Sequence, residues 1–239
     1  PVVDPNTGRL MTIVNSMDTP GVNPDAIEPP IALSTFYLRY RVSEDEGLTW
    51  LFDEPIIQNG GFTAENPFEG IRAGSNGFFL GDAGCIPTFL SDGRVLVPAQ
   101  GTVLNTTGNL SNPLSQTTFT DVMVIAGTWA GPRMEWTPMP RVQVSLDLST
   151  RGMIEPTLAQ FADGRILMVM RGSNAGRTNL PAHKWYSVCS DGQSWSAPMP
   201  WTYENGISFF SPSSMSTLFK HSTGRVFWVG NTSDANCEG

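Results

Sequence analysis

The chain has 239 residues, of which 40% are hydrophobic and only 15% charged, with 24 Gly, 19 Pro and a net charge of −8. Its length and apolar content exclude a disordered chain and allow one large domain, residues 1–239, with a substantial core. The acidic balance excludes a general nucleic-acid binder, which needs a cationic face to displace counterions, and no apolar run approaches the ~20 residues of a membrane span.

The first element is a hairpin. Pro1-Val-Val-Asp-Pro-Asn-Thr-Gly8-Arg9 leads into the apolar run 10–14, and the same pattern returns three times. The copies are Ile86-Pro87 to Gly93-Arg94 and the run after it, Glu155-Pro156 to Gly164-Arg165 and its run, and Ser211-Pro212 to Gly224-Arg225 with Val-Phe-Trp-Val. Glycine at each turn supplies the positive φ of a tight hairpin, the flanking Val, Ile, Leu and Phe suit buried strands, and the preceding Asp or Thr is placed to hydrogen-bond the turn. The turn glycines lie 85, 71 and 60 residues apart (8 to 93, 93 to 164, 164 to 224), each interval long enough for one four-stranded sheet with its loops. Recurring four-stranded sheets predict the blades of a β-propeller, here about four. Helical periodicity is nearly absent.

A loop carrying Asp18 and Asp25 follows the first hairpin. Next comes Tyr37-Leu-Arg39-Tyr40-Arg41-Val, whose two arginines share a face and are expected to meet partners on a neighbouring blade. It runs into Ser43-Glu-Asp45-Glu-Gly47-Leu-Thr49-Trp50, an S-x-D-x-G-x-T-W turn. Asp45 is suited to accept turn N–H groups, Gly47 to a positive φ, and Trp50 is expected to bury its ring between sheets. Ser187-Val-Cys-Ser-Asp191-Gly192-Gln-Ser-Trp195 is a looser, shorter copy. Cys85, Cys189 and Cys237 have no C-x-x-C spacing and are read as buried or unpaired thiols; His183 and His221 lack metal-ligand spacing and are read as surface or turn residues.

The turn at residues 43–50 resembles the Asp-box of the sialidase (neuraminidase) superfamily, and with the Gly-Arg hairpins the resemblance covers nearly the whole chain. It implies an all-β, six-bladed propeller, of which this chain holds about four blades as a piece truncated at both ends. A more specific likeness lies in Glu155, the Asp163-Gly164-Arg165 turn, and Arg171 sixteen residues after the Glu. In sialidases a Glu so placed acts on the catalytic tyrosine, and an Arg so placed belongs to a triad that grips the substrate carboxylate. The chemistry is coherent: planar guanidinium groups hold a carboxylate bidentately, and a neutral tyrosine approaches that anion better than a carboxylate does. The resemblance puts the first triad Arg before Pro1, and the third Arg and the tyrosine after Gly239. The acid/base Asp falls in the loop after the first hairpin, with Asp25 the first candidate and Asp18 the second. Asn174, just after Arg171, is a candidate for sugar hydroxyls.

The resemblance thus implies a secreted or periplasmic exo-sialidase acting with retention on sialylated or related acidic glycans, with no cofactor and no metal. A non-catalytic glycan- or protein-binding propeller is the alternative, since one fold hosts many functions. Pro156 directly after Glu155 departs from the family pattern and points to a distant branch. For Glu155 a strand-end hydrogen bond, and for Arg171 an inter-blade ion pair, are the structural alternatives.

Overall fold

The computed structural model describes residues 1–18, 32–114, 118–212 and 214–237. The described residues build four antiparallel sheets and no closed barrel. The first joins β1 (Val2–Val3), β2 (Leu10–Ser16), β3 (Tyr37–Ser43) and β4 (Phe52–Pro55) in chain order, with one short helix, α1 (Ala32–Thr35), ahead of β3. In the second, β5 (Phe78–Phe79) and β6 (Thr88–Phe89) both pair with β7 (Val95–Thr102), followed by β8 (Thr120–Ala130) and β9 (Arg133–Pro138). The third runs β10 (Ile154–Gln160), β11 (Ile166–Arg171), β12 (Lys184–Cys189), β13 (Met199–Pro200); the fourth has two strands, β14 (Ser216–Lys220) and β15 (Val226–Gly230). Among the described residues each hairpin repeat thus belongs to its own sheet, and two of the four sheets have the expected four strands.

All four hairpins form, and the turn glycines Gly8, Gly93, Gly164 and Gly224 take φ of 74°, 88°, 90° and 83°. Three turns close identically, with the N–H of Leu90, Phe161 and His221 bonded to the carbonyl four residues on; the first is one residue longer, from Asp4 to Arg9. Asp92 and Asp163 accept the N–H of Arg94 and Arg165 as expected. The arginines of the first two turns reach the next sheet: Arg9 donates to the Gly131 carbonyl at 2.8 Å, and Arg94 to that of Gly192 at 2.8 Å.

Side-chain alternation explains the stacking. On β7, Val95, Val97 and Ala99 pack with Met11, Tyr40 and Trp136 in a core between the first and second sheets. Leu96 faces the other way and joins Val122, Val124, Met168, Met170 and Trp185 between the second and third. A smaller core of Ala159, Val169 and Leu218, edged by Trp201 and Trp228, joins the third and fourth. Each fully buried aliphatic side chain contributes about 1.5–3 kcal/mol, so these cores fix the sheets on one another. The inner strands β1, β6, β10 and β14 all line one apolar groove, through Val2, Phe89, Leu158 and Leu218 among others.

Three expectations are corrected here. Trp50 is 38% exposed rather than buried between sheets, because it lies in the β3–β4 connection, beyond the last residue of β3. Arg39 and Arg41 both bond Asp53 of β4, each at 2.8 Å, so their partner is in their own sheet and not a neighbouring one. His183 is only partly exposed and stacks on Phe210 at 5.6 Å, whereas His221 does sit in a turn, bonded to Thr223. Cys85 and Cys189 are buried free thiols.

Candidate functional site

Pro156 decides the local geometry. Proline has no N–H to give to the β10–β11 ladder, and the register shifts by one between the Ile154↔Arg171 and Thr157↔Val169 pairs. At this bulge Glu155 adopts φ 52°, one of two non-glycine positive-φ residues among the described ones. Such a conformation costs about 1–3 kcal/mol and persists only where surroundings impose it. They do: the Glu155 N–H donates to Oε1 of Gln100 on β7 at 2.7 Å. Gly81 lies against the same spot, where a Cβ would stand 2.9 Å from Glu155 Cγ. The departure noted in the sequence is thus the feature that turns Glu155 out of the ladder.

Its carboxylate meets Arg171. Nη1 of Arg171 donates to Glu155 Oε1 at 2.6 Å, with the two side chains 18% and 14% exposed. Alternation along β11 turns Arg171 toward the fourth sheet, together with Leu167 and Val169. Lys184 on β12 is paired directly opposite Arg171 and is wholly buried. Burial pushes the Glu155 carboxyl above the usual range, with Asp82 adding to the effect and Arg171 opposing it. Burial, then the charge of Arg171, pulls the Lys184 ammonium down to about 8. Arg151, just ahead of β10, is lowered by the same two causes and is attracted by Glu155. Three cations, Arg151, Arg171 and Lys184, therefore surround two carboxylates, Glu155 and Asp82, in a protein whose overall charge is −8. Among the described residues, Glu155 Oε2, an acceptor, and Arg151 Nε, a donor, are buried there without a hydrogen-bond partner. Burial raises the nearby Cys85 thiol to about 12, which keeps it protonated and unreactive at neutral pH.

The other expected residues divide. Asp25 lies outside the described residues. Asp18 is exposed at the end of the first hairpin; its carboxylate accepts the Tyr37 hydroxyl at 3.0 Å and the Ser16 hydroxyl at 2.9 Å. Just before it, the Asn15 side chain exchanges two hydrogen bonds with the backbone of Leu80, next to Gly81, so the end of β2 borders the Glu155 site. Asn174 is fully buried, and its amide nitrogen donates to the carbonyls of Leu180 and Cys237, both at 2.9 Å. That geometry suits a strut between loops rather than the sugar contact expected of it. Gln100, Arg151, Lys184 and Asp82 were not singled out from the sequence. Gln100 and Lys184 sit inside strand runs and carry no motif; a charge in the aromatic strand Lys-Trp-Tyr is the signal that could have found Lys184.

The two Asp-box turns are built as expected. Asp45 accepts the Thr49 N–H and hydroxyl at 2.8 and 2.6 Å, and Gly47 takes φ 90°. Asp191 likewise accepts the Ser194 N–H and hydroxyl. Both follow the third strand of their sheet. Among the described residues no group of His, Cys, Asp and Glu is placed to hold a metal ion, and no helix is long and apolar enough to cross a membrane.

The model of the BNR repeat-like domain matches residues 1–236. The chain belongs to that family. Among solved structures, this BNR-repeat chain is similar to a protein of unknown function from Dyadobacter fermentans, with TM-score 0.58, 14% identity, and 93% of this chain and 53% of that one covered. It is also similar to a Hadza microbial sialidase, with TM-score 0.55, 13% identity and coverage of 95% and 38%, and to the leech intramolecular trans-sialidase, with TM-score 0.50, 20% identity and coverage of 79% and 22%. No curated protein matches it in sequence. The BNR-repeat chain spans about half or less of the length of these structures. The likeness establishes a sialidase-like fold and nothing beyond the fold.

Proposed function

We propose that this BNR-repeat chain carries the acidic-sugar site of an exo-sialidase-like glycoside hydrolase, with Glu155 and Arg171 at its centre. The observation that supports this most is their 2.6 Å contact inside a cluster where cations outnumber carboxylates. Arg171 is the guanidinium offered to a sugar carboxylate, and Arg151 Nε an additional open donor. Glu155 Oε2 is the open acceptor for a hydroxyl proton. A carboxyl whose proton affinity is raised by burial is a better base near neutral pH. In the sialidase-like reaction Glu155 would draw the proton from a tyrosine hydroxyl as that oxygen attacks the anomeric carbon. An aspartic acid, Asp25 or else Asp18, would protonate the departing glycosidic oxygen, and water would then release the sugar with retention. The tyrosine is the nucleophile that the resemblance implies. The substrates would be sialylated or related acidic glycans, and the placement secreted or periplasmic.

A fluorogenic sialoside tests the reading, with Glu155→Gln and Arg171→Ala beside the wild type. Cleavage that falls at least about 100-fold in both folded variants is the expected result. Cleavage indifferent to both removes these residues from the site. Sialoside binding without cleavage moves the protein to the glycan-binding modules of the family.

A further inference from the structure

Lys184 is unusual for a lysine. It has no exposed surface, and it stands directly opposite Arg171 in the β11–β12 ladder, on the same face of the sheet. Two like charges side by side in a dry interface repel, and a buried ammonium without partners is costly. Its partners come from another sheet. The ammonium donates to the carbonyl of Pro212 at 3.4 Å and to that of Ser214, both in the segment that leads into β14. The same segment is pinned by the Ser211 N–H on the Ala182 carbonyl at 3.0 Å and by the Ser211 hydroxyl on the Asn231 carbonyl at 2.6 Å. Near its far end the Ser216 carbonyl lies against Gly84, where a Cβ would collide with it. Gly84 in turn donates its N–H to Asp82 at 2.7 Å. The lead-in to β14 therefore closes over the side of the site where Arg171, Glu155 and Asp82 meet.

We propose that Lys184 is a positioning residue: its ammonium clamps the lead-in to β14 against Arg171, making that segment a wall of the site and keeping the site cationic. The charged groups acting on it are Arg171 from β11, Glu155 from β10 and Asp82 from the segment before β6. From the β14 side it meets carbonyls; its chain neighbour His183 stacks on Phe210, and Tyr186 on the same strand directs its hydroxyl to Met199. An ammonium with a pKa of about 8 loses its proton as the pH rises through that value. The neutral amine donates weaker bonds to the two carbonyls and removes one positive charge from the site.

The role of the wall in binding rests on the acidic-sugar reading above; the clamp itself does not. The test therefore has two arms, on wild type, Lys184→Met and Lys184→Arg. The first is calorimetric titration with free sialic acid between about pH 6 and 9.5. Wild-type affinity falls about fivefold or more through pH 8, Lys184→Met is weaker at pH 7 and shows no such fall, and Lys184→Arg stays level. The second is amide exchange at pH 7, in which residues 214–218 exchange about fivefold or more faster in Lys184→Met than in wild type. Methionine fills much of the lysine volume and removes a buried charge, so folding is preserved. Faster exchange with no sialic acid binding by any variant upholds the clamp and defeats the acidic-sugar reading. Unchanged exchange in Lys184→Met, or a wild-type pH profile that Lys184→Met reproduces, overturns the proposal.

Discussion

The backbone N–H of Glu155 donates to Oε1 of Gln100 at 2.7 Å, from one sheet to the next. Glu155 sits at a bulge made necessary by Pro156, in a left-handed conformation that the ladder does not hold. Gln100 supplies what the ladder withholds. It is 5% exposed, and alternation along β7 turns it toward the third sheet.

Gln100→Ala should therefore act twice. It leaves a largely buried N–H without its acceptor, at a cost of about 1–3 kcal/mol. It also frees Glu155 to leave the left-handed region and swing its carboxylate away from Arg171. Denaturant midpoints should fall accordingly, and sialoside turnover should fall further than Gln100→Glu, which keeps an acceptor there. Equal activity in wild type and Gln100→Ala would mean that the cross-sheet bond does not position Glu155.

Gly81→Ala is the steric counterpart. The added Cβ would stand 2.9 Å from Glu155 Cγ and 3.0 Å from its Cα, closer than Cβ contacts allow, and would also strike Gln100 Oε1. Overpacking of this kind costs about 1–3 kcal/mol. Gly164→Ala is a useful control, since nothing lies near its Cβ position although its φ is positive. Both variants should lose stability in thermal melts, but only Gly81→Ala should also lose ligand binding.

The Asp-box turns predict an acid-dependent contribution. Hydrogen bonds from Thr49 and Ser43 lower the Asp45 carboxyl from 3.8 to about 2 in the folded protein. A carboxyl lowered by folding stabilises the native state above its unfolded pKa, and that contribution fades as pH falls from about 4 through 2. Asp45→Asn should thus be less stable than wild type at pH 7, with the gap narrowing as pH falls through that window. A gap in melting temperature that stays constant down to pH 2 would contradict the assignment.

The four hairpins and both Asp-box turns were legible because each is local: a glycine, a turn acid and two apolar runs specify them within about a dozen residues. The contact between Glu155 and Arg171 was legible for a related reason, since one hairpin carries both and its length sets their register. The rest depends on how sheets stack. Nothing near Gln100 in sequence reveals that Glu155 will be its partner, 55 residues on. Lys184 sits among aromatic residues, and only the fold brings the carbonyls of Pro212 and Ser214, ahead of β14, to its ammonium. The expectations that failed were also tertiary. Trp50 was expected inside because tryptophan usually is, yet it lies in the connection beyond the end of β3 and is partly exposed. Arg39 and Arg41 were expected to look outward to a neighbour, yet Asp53 lies one strand away in register with Arg41. The bonds of Asn174 to the carbonyls of Leu180 and Cys237 are tertiary as well, and its place after Arg171 in sequence does not show them.

The most direct test of the central claim is the affinity of free sialic acid for wild type and for Arg171→Ala at pH 7, measured by calorimetry with folding checked by circular dichroism. A charge-assisted hydrogen bond to the sugar carboxylate contributes about 1.5–3 kcal/mol, so the variant should bind about 10- to 100-fold more weakly. Equal affinity in the two proteins would contradict the account and place any sugar site away from Glu155 and Arg171.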